Sequence, residues 1–425
     1  DVHPPLYCIL NHTVCSFFPD TFSKYFFFSI SLVFFIGTCF VIRSILKLLN
    51  KEKLVIPTVL LYGLSMGAIS TVIYARMYMM LAFFTLAYFY LTLKIYKYGF
   101  KMTKKTKVLL GTTTILGFLS QYYFCIFALG CFVVMIALMI KEKKWHELKS
   151  YILTHIISAL IGVLIYPICI YQIFFSYRGV GAAGANGAYF EGLVKFVELL
   201  FKAYSLPIIL GIVALVIFTA WYIYKFIKSK EKGYLLLLII PTLLSILVIA
   251  KISPYKELRY LYGLLPALSI LITLGLSSIV NTTIKNRKIG MAILVVIISI
   301  ASIYGLATKE PEHLYKGYSN YLKIAEENSE DPFVYIGSGV FNHIQSMPEF
   351  MTYKESLILQ ETQLEYLKDN EELTNSNEFI LSIKKYIGNR DKILQQVLDY
   401  TGYKNYTVLY DDEGETGCII FKFSK

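Results

Sequence analysis

Charge is scarce in this chain. Only 16% of its 425 residues are Asp, Glu, Lys or Arg, whereas 56% are hydrophobic; a soluble globule of this length carries roughly 25% charged and 45 to 50% apolar residues. The deficit excludes a wholly soluble protein and leaves a polytopic membrane protein. Acidic residues are rarest before Lys309, where 9 Asp/Glu face 29 Lys/Arg; from Lys309 onward 20 acidic residues face 12 basic ones. A nucleic-acid binder needs a basic face on a soluble module. The soluble stretch here is acidic, so that class is excluded. No Cys-x-x-Cys occurs, and Cys39, Cys125, Cys131 and Cys169 fall in apolar stretches, where cysteine behaves as a small buried hydrophobe. A phosphate loop is lacking too, and Gly337-Ser338-Gly339 has no third glycine for a dinucleotide fingerprint. Internal repeats are not evident. Ionisable residues deep in the apolar runs are almost absent, His155 being the main exception, expected near the cytoplasmic end of its span and packed. The last two absences weigh against a transporter.

What the chain does have is a series of membrane-length apolar windows, since roughly 20 such residues cross a bilayer. Ten are placed near 25–48, 55–74, 77–97, 106–121, 122–140, 151–175, 205–227, 233–251, 260–281 and 288–307. The fourth and fifth are separated only by Gln121-Tyr122-Tyr123, so a helix pair with a re-entrant tip is the alternative there. Lys and Arg sort the loops: 21 of the 29 membrane-part cations lie around 43–53, 94–107, 141–149, 225–232 and 285–288. By the positive-inside rule, these loops are cytoplasmic. Residues 1–23, the Arg76 junction, Gln121 to Tyr123, the loops 176–204 and 251–259, and the chain from 309 on are then extracytoplasmic. An N-terminus on that face implies an earlier span, so a first helix and part of its loop are expected upstream of Asp1. Cys8 and Cys15, outside the windows and close in sequence, could be bridged in an oxidising compartment.

The expected fold is mainly α: a polytopic helical bundle over 1–308 and an extracytoplasmic α/β domain over 309–425. In that domain Phe333-Val334-Tyr335-Ile336 and Phe379 to Ile383 read as strands and 392–400 as a helix. Residues 406–410 pair with 418–422 as a hairpin. The glycine-rich stretch 176–192 reads as a loose connector or a gate over a lipid entrance. Residues 190–204, apolar at helical spacing with a charged stripe, read as an interfacial amphipathic helix.

Candidate chemistry sits on the outer side. Asp1 could take a proton and His3 steady a departing anion, or Asp1 could simply cap a loop made rigid by Pro4 and Pro5. Arg76, in Tyr74-Ala75-Arg76-Met77-Tyr78, either snorkels or meets an anion. Arg259, with Tyr260, either anchors the interface or binds phosphate through its fixed fork of donors. Glu257 stands ready to pair with Lys256 or Arg259. Tyr122, with Gln121 and Tyr123, could line a sugar pocket.

The run Asp1-Val2-His3-Pro4-Pro5-Leu6-Tyr7 resembles the first extracytoplasmic loop motif of the protein O-mannosyltransferases and of family 39 of polyprenyl-phosphate-dependent glycosyltransferases. Ala75-Arg76-Met77-Tyr78 resembles a junction element of bacterial members, and Arg259-Tyr260 with Pro266 resembles the family's late Arg-Tyr element. The resemblance implies a GT-C fold and inverting transfer of a sugar, mannose or a related hexose, from a polyprenyl-phosphate donor to a glycan, lipid or protein acceptor. It further implies Asp1 and His3 as a supporting motif, Arg76, Tyr78, Arg259 and Tyr260 at the substrate, and the principal acidic pair upstream of Asp1. Neither a cofactor nor a metal site is expected from the visible loops. The competing expectation is a lipid-sugar flippase or other transporter with an outer binding domain.

Overall fold

The computed structural model describes residues 3–17, 24–74, 76–176, 189–228, 232–253, 256–284, 286–312, 318–337, 347–368, 370–385, 387–412 and 417–425. Asp1, Arg178, most of the 176–192 stretch and Ser338-Gly339 lie outside them. The chain divides into two compact units, Asp1–His313 and Leu314–Lys425.

In the first unit the helices are α1 (Leu6–Ser16), α2 (Lys24–Leu48), α3 (Val55–Gly63), α4 (Met66–Ile73), α5 (Tyr78–Lys97), α6 (Lys104–Ser120), α7 (Tyr123–Lys141), α8 (Trp145–Ile165), α9 (Ile168–Phe174), α10 (Tyr189–Ala203), α11 (Ile208–Lys228), α12 (Lys232–Ile252), α13 (Leu265–Thr283) and α14 (Arg287–Thr308). A 3₁₀ turn, Leu258–Leu264, leads into α13. Among the described residues eight helices are long and apolar enough to cross a membrane, or nine if the α3/α4 pair counts as one span. The fourth window of the sequence reading, 106–121, is α6, a helix of 17 residues. The chain is thus a multi-pass membrane protein.

Local chemistry sets the breaks. Between α3 and α4 the chain bends by 62°, and the Ser65 hydroxyl caps the new helix by accepting from the Ala68 amide at 3.1 Å. Thr103 and Asn286 cap α6 and α14 in the same way. α5 is the central helix: Tyr78, Met80, Leu81, Tyr88, Phe89 and Leu93 are all buried, with α2, α6, α7 and the 3₁₀ turn against it. α7 and α12 meet at Gly130, where a β carbon would lie 2.7 Å from the Pro241 Cα. Small residues permit such close approach in membranes.

One alternative is ruled out here and one reading is extended. Cys8 and Cys15 are free. Both belong to α1, seven residues apart, and about 10 Å of helical rise separates them, beyond the reach of a disulfide. The amphipathic segment forms α10 but does more than lie at an interface. It packs against α4, α12 and the 3₁₀ turn, with Phe196 and Ala203 fully buried and Phe190 left 77% exposed.

The second unit is an α/β module. Strands β1 (Phe333–Ile336), β2 (Ser356–Leu359), β3 (Glu378–Lys384), β4 (Asn405–Asp411) and β5 (Cys418–Ser424) form one sheet in the order β2-β1-β3-β5-β4. β1 runs parallel to β2 and β3, and the β4/β5 hairpin is antiparallel. Helices α15 (Ser319–Glu327), α16 (Met347–Phe350), α17 (Glu371–Asn375) and α18 (Arg390–Thr401) complete it. Gly402, at φ 75°, ends α18 in the left-handed region. One sheet face packs Val334, Leu381 and Phe421 with Val397 of α18; the other packs Phe333, Tyr335 and Ile420 with Tyr321 of α15.

Candidate functional site

Two chain breaks bring two arginines to one tyrosine. α4 closes with the Tyr74 amide donating to the Ser70 carbonyl at 2.9 Å; Tyr74 and Arg76 then follow in the short link to α5. After α12 the chain is extended at Glu257 and delivers Arg259 in the 3₁₀ turn. Arg259 Nη1 donates to the Tyr74 hydroxyl at 2.8 Å and Nη2 donates to Glu257 Oε1 at 2.8 Å. Its Nε lies 2.6 Å from Glu257 Oε2 as an ion-pair contact, not as an aligned hydrogen bond. The Arg259 guanidinium also lies 5.5 Å from the Tyr260 ring centre. Arg76 approaches the same Tyr74 ring, its Cζ 5.9 Å from the centre. Two guanidiniums and the Glu257 carboxylate thus meet around one tyrosine.

Tyrosines build the walls. Tyr78 is buried and meets Tyr74 edge-on at 5.9 Å and Tyr262 at 5.8 Å. Its place is therefore behind Tyr74, where it fixes the ring that the arginines share. Tyr7 of α1 is buried as well; burial pushes its phenol pKa up, and the nearby Arg76 charge acts against that rise.

A second polar chain holds His3 and Tyr122. Tyr122 donates to Gln172 Oε1 at 2.5 Å, Gln172 Nε2 donates to the Tyr166 hydroxyl at 2.9 Å, and Tyr166 donates to the His3 carbonyl at a long 3.4 Å. Burial pushes the Tyr122 phenol pKa up, with the neighbouring Tyr166 adding to it. The next residue, Tyr123, meets Tyr260 edge-on at 5.4 Å, so this chain and the arginine cluster share a wall. Gln121 is buried, and its side chain accepts from the Tyr122 amide at 2.7 Å.

The sequence reading named Arg76, Tyr78, Tyr122, Arg259, Tyr260 and His3 but gave no role to Tyr74, Tyr166, Gln172 or Tyr262. Gln172 carried a signal, because a lone amide inside Ile168–Phe174 needs a partner. Tyr74 carried none: its partner Arg259 is 185 residues away. Lys256, by contrast, is committed to structure, donating to the Ala250 and Ser253 carbonyls at 2.9 and 2.7 Å and capping the end of α12. His155 is likewise packed, its Nδ1 donating to the Tyr151 carbonyl at 2.8 Å and its Nε2 lying 2.7 Å from the Tyr88 hydroxyl. Among the described residues no group of three His, Cys, Asp or Glu side chains could hold a metal ion.

Residues 199–352 match the model of the Alg9-like mannosyltransferase family. Among solved structures the chain is similar to ArnT from Cupriavidus metallidurans bound to undecaprenyl phosphate, with a TM-score of 0.58 at 10% identity, over 99% of this chain and 87% of that one. The apo state of the same protein matches with a TM-score of 0.56 at 10% identity over the same shares. No curated protein matches the chain in sequence. The fold is that of ArnT, a GT-C-like bundle, and the partial family match also points to a membrane glycosyltransferase.

Proposed function

We propose that this glycosyltransferase moves a sugar, mannose or a related hexose, from a polyprenyl-phosphate donor to an acceptor hydroxyl on the extracytoplasmic face, and that Arg76 and Arg259 hold the donor phosphate. The observation that carries the reading is the convergence of both guanidiniums on Tyr74, with Glu257 orienting Arg259 from behind. The ArnT structure holding undecaprenyl phosphate supports the same lipid class here.

The chemistry follows from the charges. As the acceptor oxygen bonds to the sugar C1, its hydroxyl proton passes to a carboxylate base, the bond from C1 to the phosphate oxygen breaks, and that electron pair leaves with the polyprenyl phosphate. Negative charge grows on that phosphate, and fixed cations favour the transition state over the ground state. Arginine suits the task, because its planar fork binds two phosphate oxygens at once. Tyr260 and Tyr122 offer ring faces and a hydroxyl to the sugar. His3, whose carbonyl the Tyr166–Gln172–Tyr122 chain reaches, and Asp1 are assigned supporting roles. The acidic C-terminal unit is placed on the same extracytoplasmic side, on the strength of the loop charge asymmetry.

Transfer from polyprenyl-phosphate sugars, measured with the chain in its membrane, tests the proposal. Arg76→Ala and Arg259→Ala should each lower kcat/KM by about a hundredfold, the scale of removing one charge-stabilising donor. Arg259→Lys should restore little, since an ammonium lacks the fork. Unchanged transfer in the Arg76→Ala/Arg259→Ala double variant would remove the phosphate site. Movement of labelled lipid across the bilayer without sugar transfer would replace the enzyme reading with the flippase.

A further inference from the structure

At the opposite end of the bundle from Arg76 lies a cavity of about 400 Å³. It sits between the last turns of α11 and α13, the start of α12 and the link from α2 to α3. Lys51 and Lys228 stand at it, Ser278 and Asn281 offer a hydroxyl and an amide, and Trp221, Tyr222 and Leu274 form apolar wall. Among the described residues no carboxylate lines it.

Its depth is set by α5. That helix begins beside Arg76 at Tyr78 and ends at Lys97, about 30 Å away at 1.5 Å per residue. Lys97 Nζ lies 5.7 Å from the ring centre of Tyr234, which also lines the cavity. The cavity is therefore one hydrocarbon thickness from the arginine cluster. Its opening has a built cause. Tyr222 donates to the Leu271 carbonyl at 2.6 Å, and a β carbon at Gly275 would lie 2.4 Å from Phe218. These contacts hold α11 against α13, while Ile223, Tyr224 and Ile227 beside them face outward and stay exposed. A polar, cationic recess thus opens beside an apolar helix face.

We propose that this recess binds the headgroup of an anionic phospholipid from the leaflet opposite the arginine cluster. The lysines meet the phosphate, Ser278 and Asn281 meet glycerol hydroxyls, and the acyl chains lie along the exposed face of α11. Trp and Tyr at such a depth are the side chains that favour the headgroup level. The proposal stands independently of the transferase reading.

Native mass spectrometry of the full, delipidated chain, titrated with phosphatidylglycerol, phosphatidylcholine or inorganic phosphate, tests it. Phosphatidylglycerol should be retained about tenfold better than phosphatidylcholine, and inorganic phosphate should not displace it. Because each lysine near a membrane surface strengthens anionic-lipid binding by about fivefold, Lys51→Gln/Lys228→Gln should lower retention by about thirtyfold. Ser278→Trp, which fills the recess without changing charge, should lower it as well. The control Lys104→Gln/Lys105→Gln should leave retention intact. Equal retention of phosphatidylcholine, equal loss in the control pair, or displacement by inorganic phosphate would each overturn the proposal.

Discussion

Arg259 is held from two directions before any ligand arrives, by Glu257 and by Tyr74. Such preorganisation matters because a phosphate then meets donors already in place, with little ordering left to do. At the same scale, Glu349 of the C-terminal unit is the outlier. It is only 1% exposed, and among the described residues neither carboxylate oxygen has a hydrogen-bond partner. Burial raises its pKa from an ordinary 4.5 to about 8, with the Lys384 charge opposing the rise. The unfolded chain therefore loses this proton at lower pH than the folded one. The stability it contributes is complete below pH 4.5 and declines as pH rises through about 8, with a slope of at most about 1.4 kcal/mol per pH unit. Hydrogen exchange in β3 should show protection falling over that window, and Glu349→Gln should flatten the dependence. A wild-type profile without slope would contradict the burial.

At the scale of elements, the hydropathy pattern marked every long helix, because a membrane-length apolar run is local information. β1, β3 and the β4/β5 hairpin were equally legible from alternation and apolar runs. β2 was not: Ser356 to Leu359 has exposed, intermediate, exposed and buried positions, and its partner β1 lies across an intervening helix. The bridge weighed for Cys8 and Cys15 is excluded for a related reason, since sequence proximity says nothing of the distance once both sit on one helix. The α7/α12 contact is a tertiary feature that a single glycine permits. Gly130→Ala should destabilise the bundle by about 1 to 3 kcal/mol through overpacking against the Pro241 backbone, read as a lower melting temperature in detergent. Gly388→Ala, whose β carbon meets nothing within 4 Å, serves as the neutral comparison.

For the whole molecule, sidedness is the property that charge asymmetry addresses most directly. With the seven native cysteines replaced by Ala, an impermeant maleimide applied to intact cells should label Asp391→Cys in the C-terminal unit. It should spare Tyr98→Cys, at the lysine-rich end of α5. The reverse pattern would invert the topology. Composition and hydropathy alone determined that the chain is a multi-pass helical protein with an acidic α/β module at its end, because the cost of placing charge in hydrocarbon acts on each short segment separately. Only the tertiary structure decided that Arg76 and Arg259 share Tyr74, that Tyr78 stands behind them, and that Gln172 joins Tyr122 to Tyr166. A hydrogen bond between residues 185 positions apart exists only after helices have packed, and no local pattern encodes that packing.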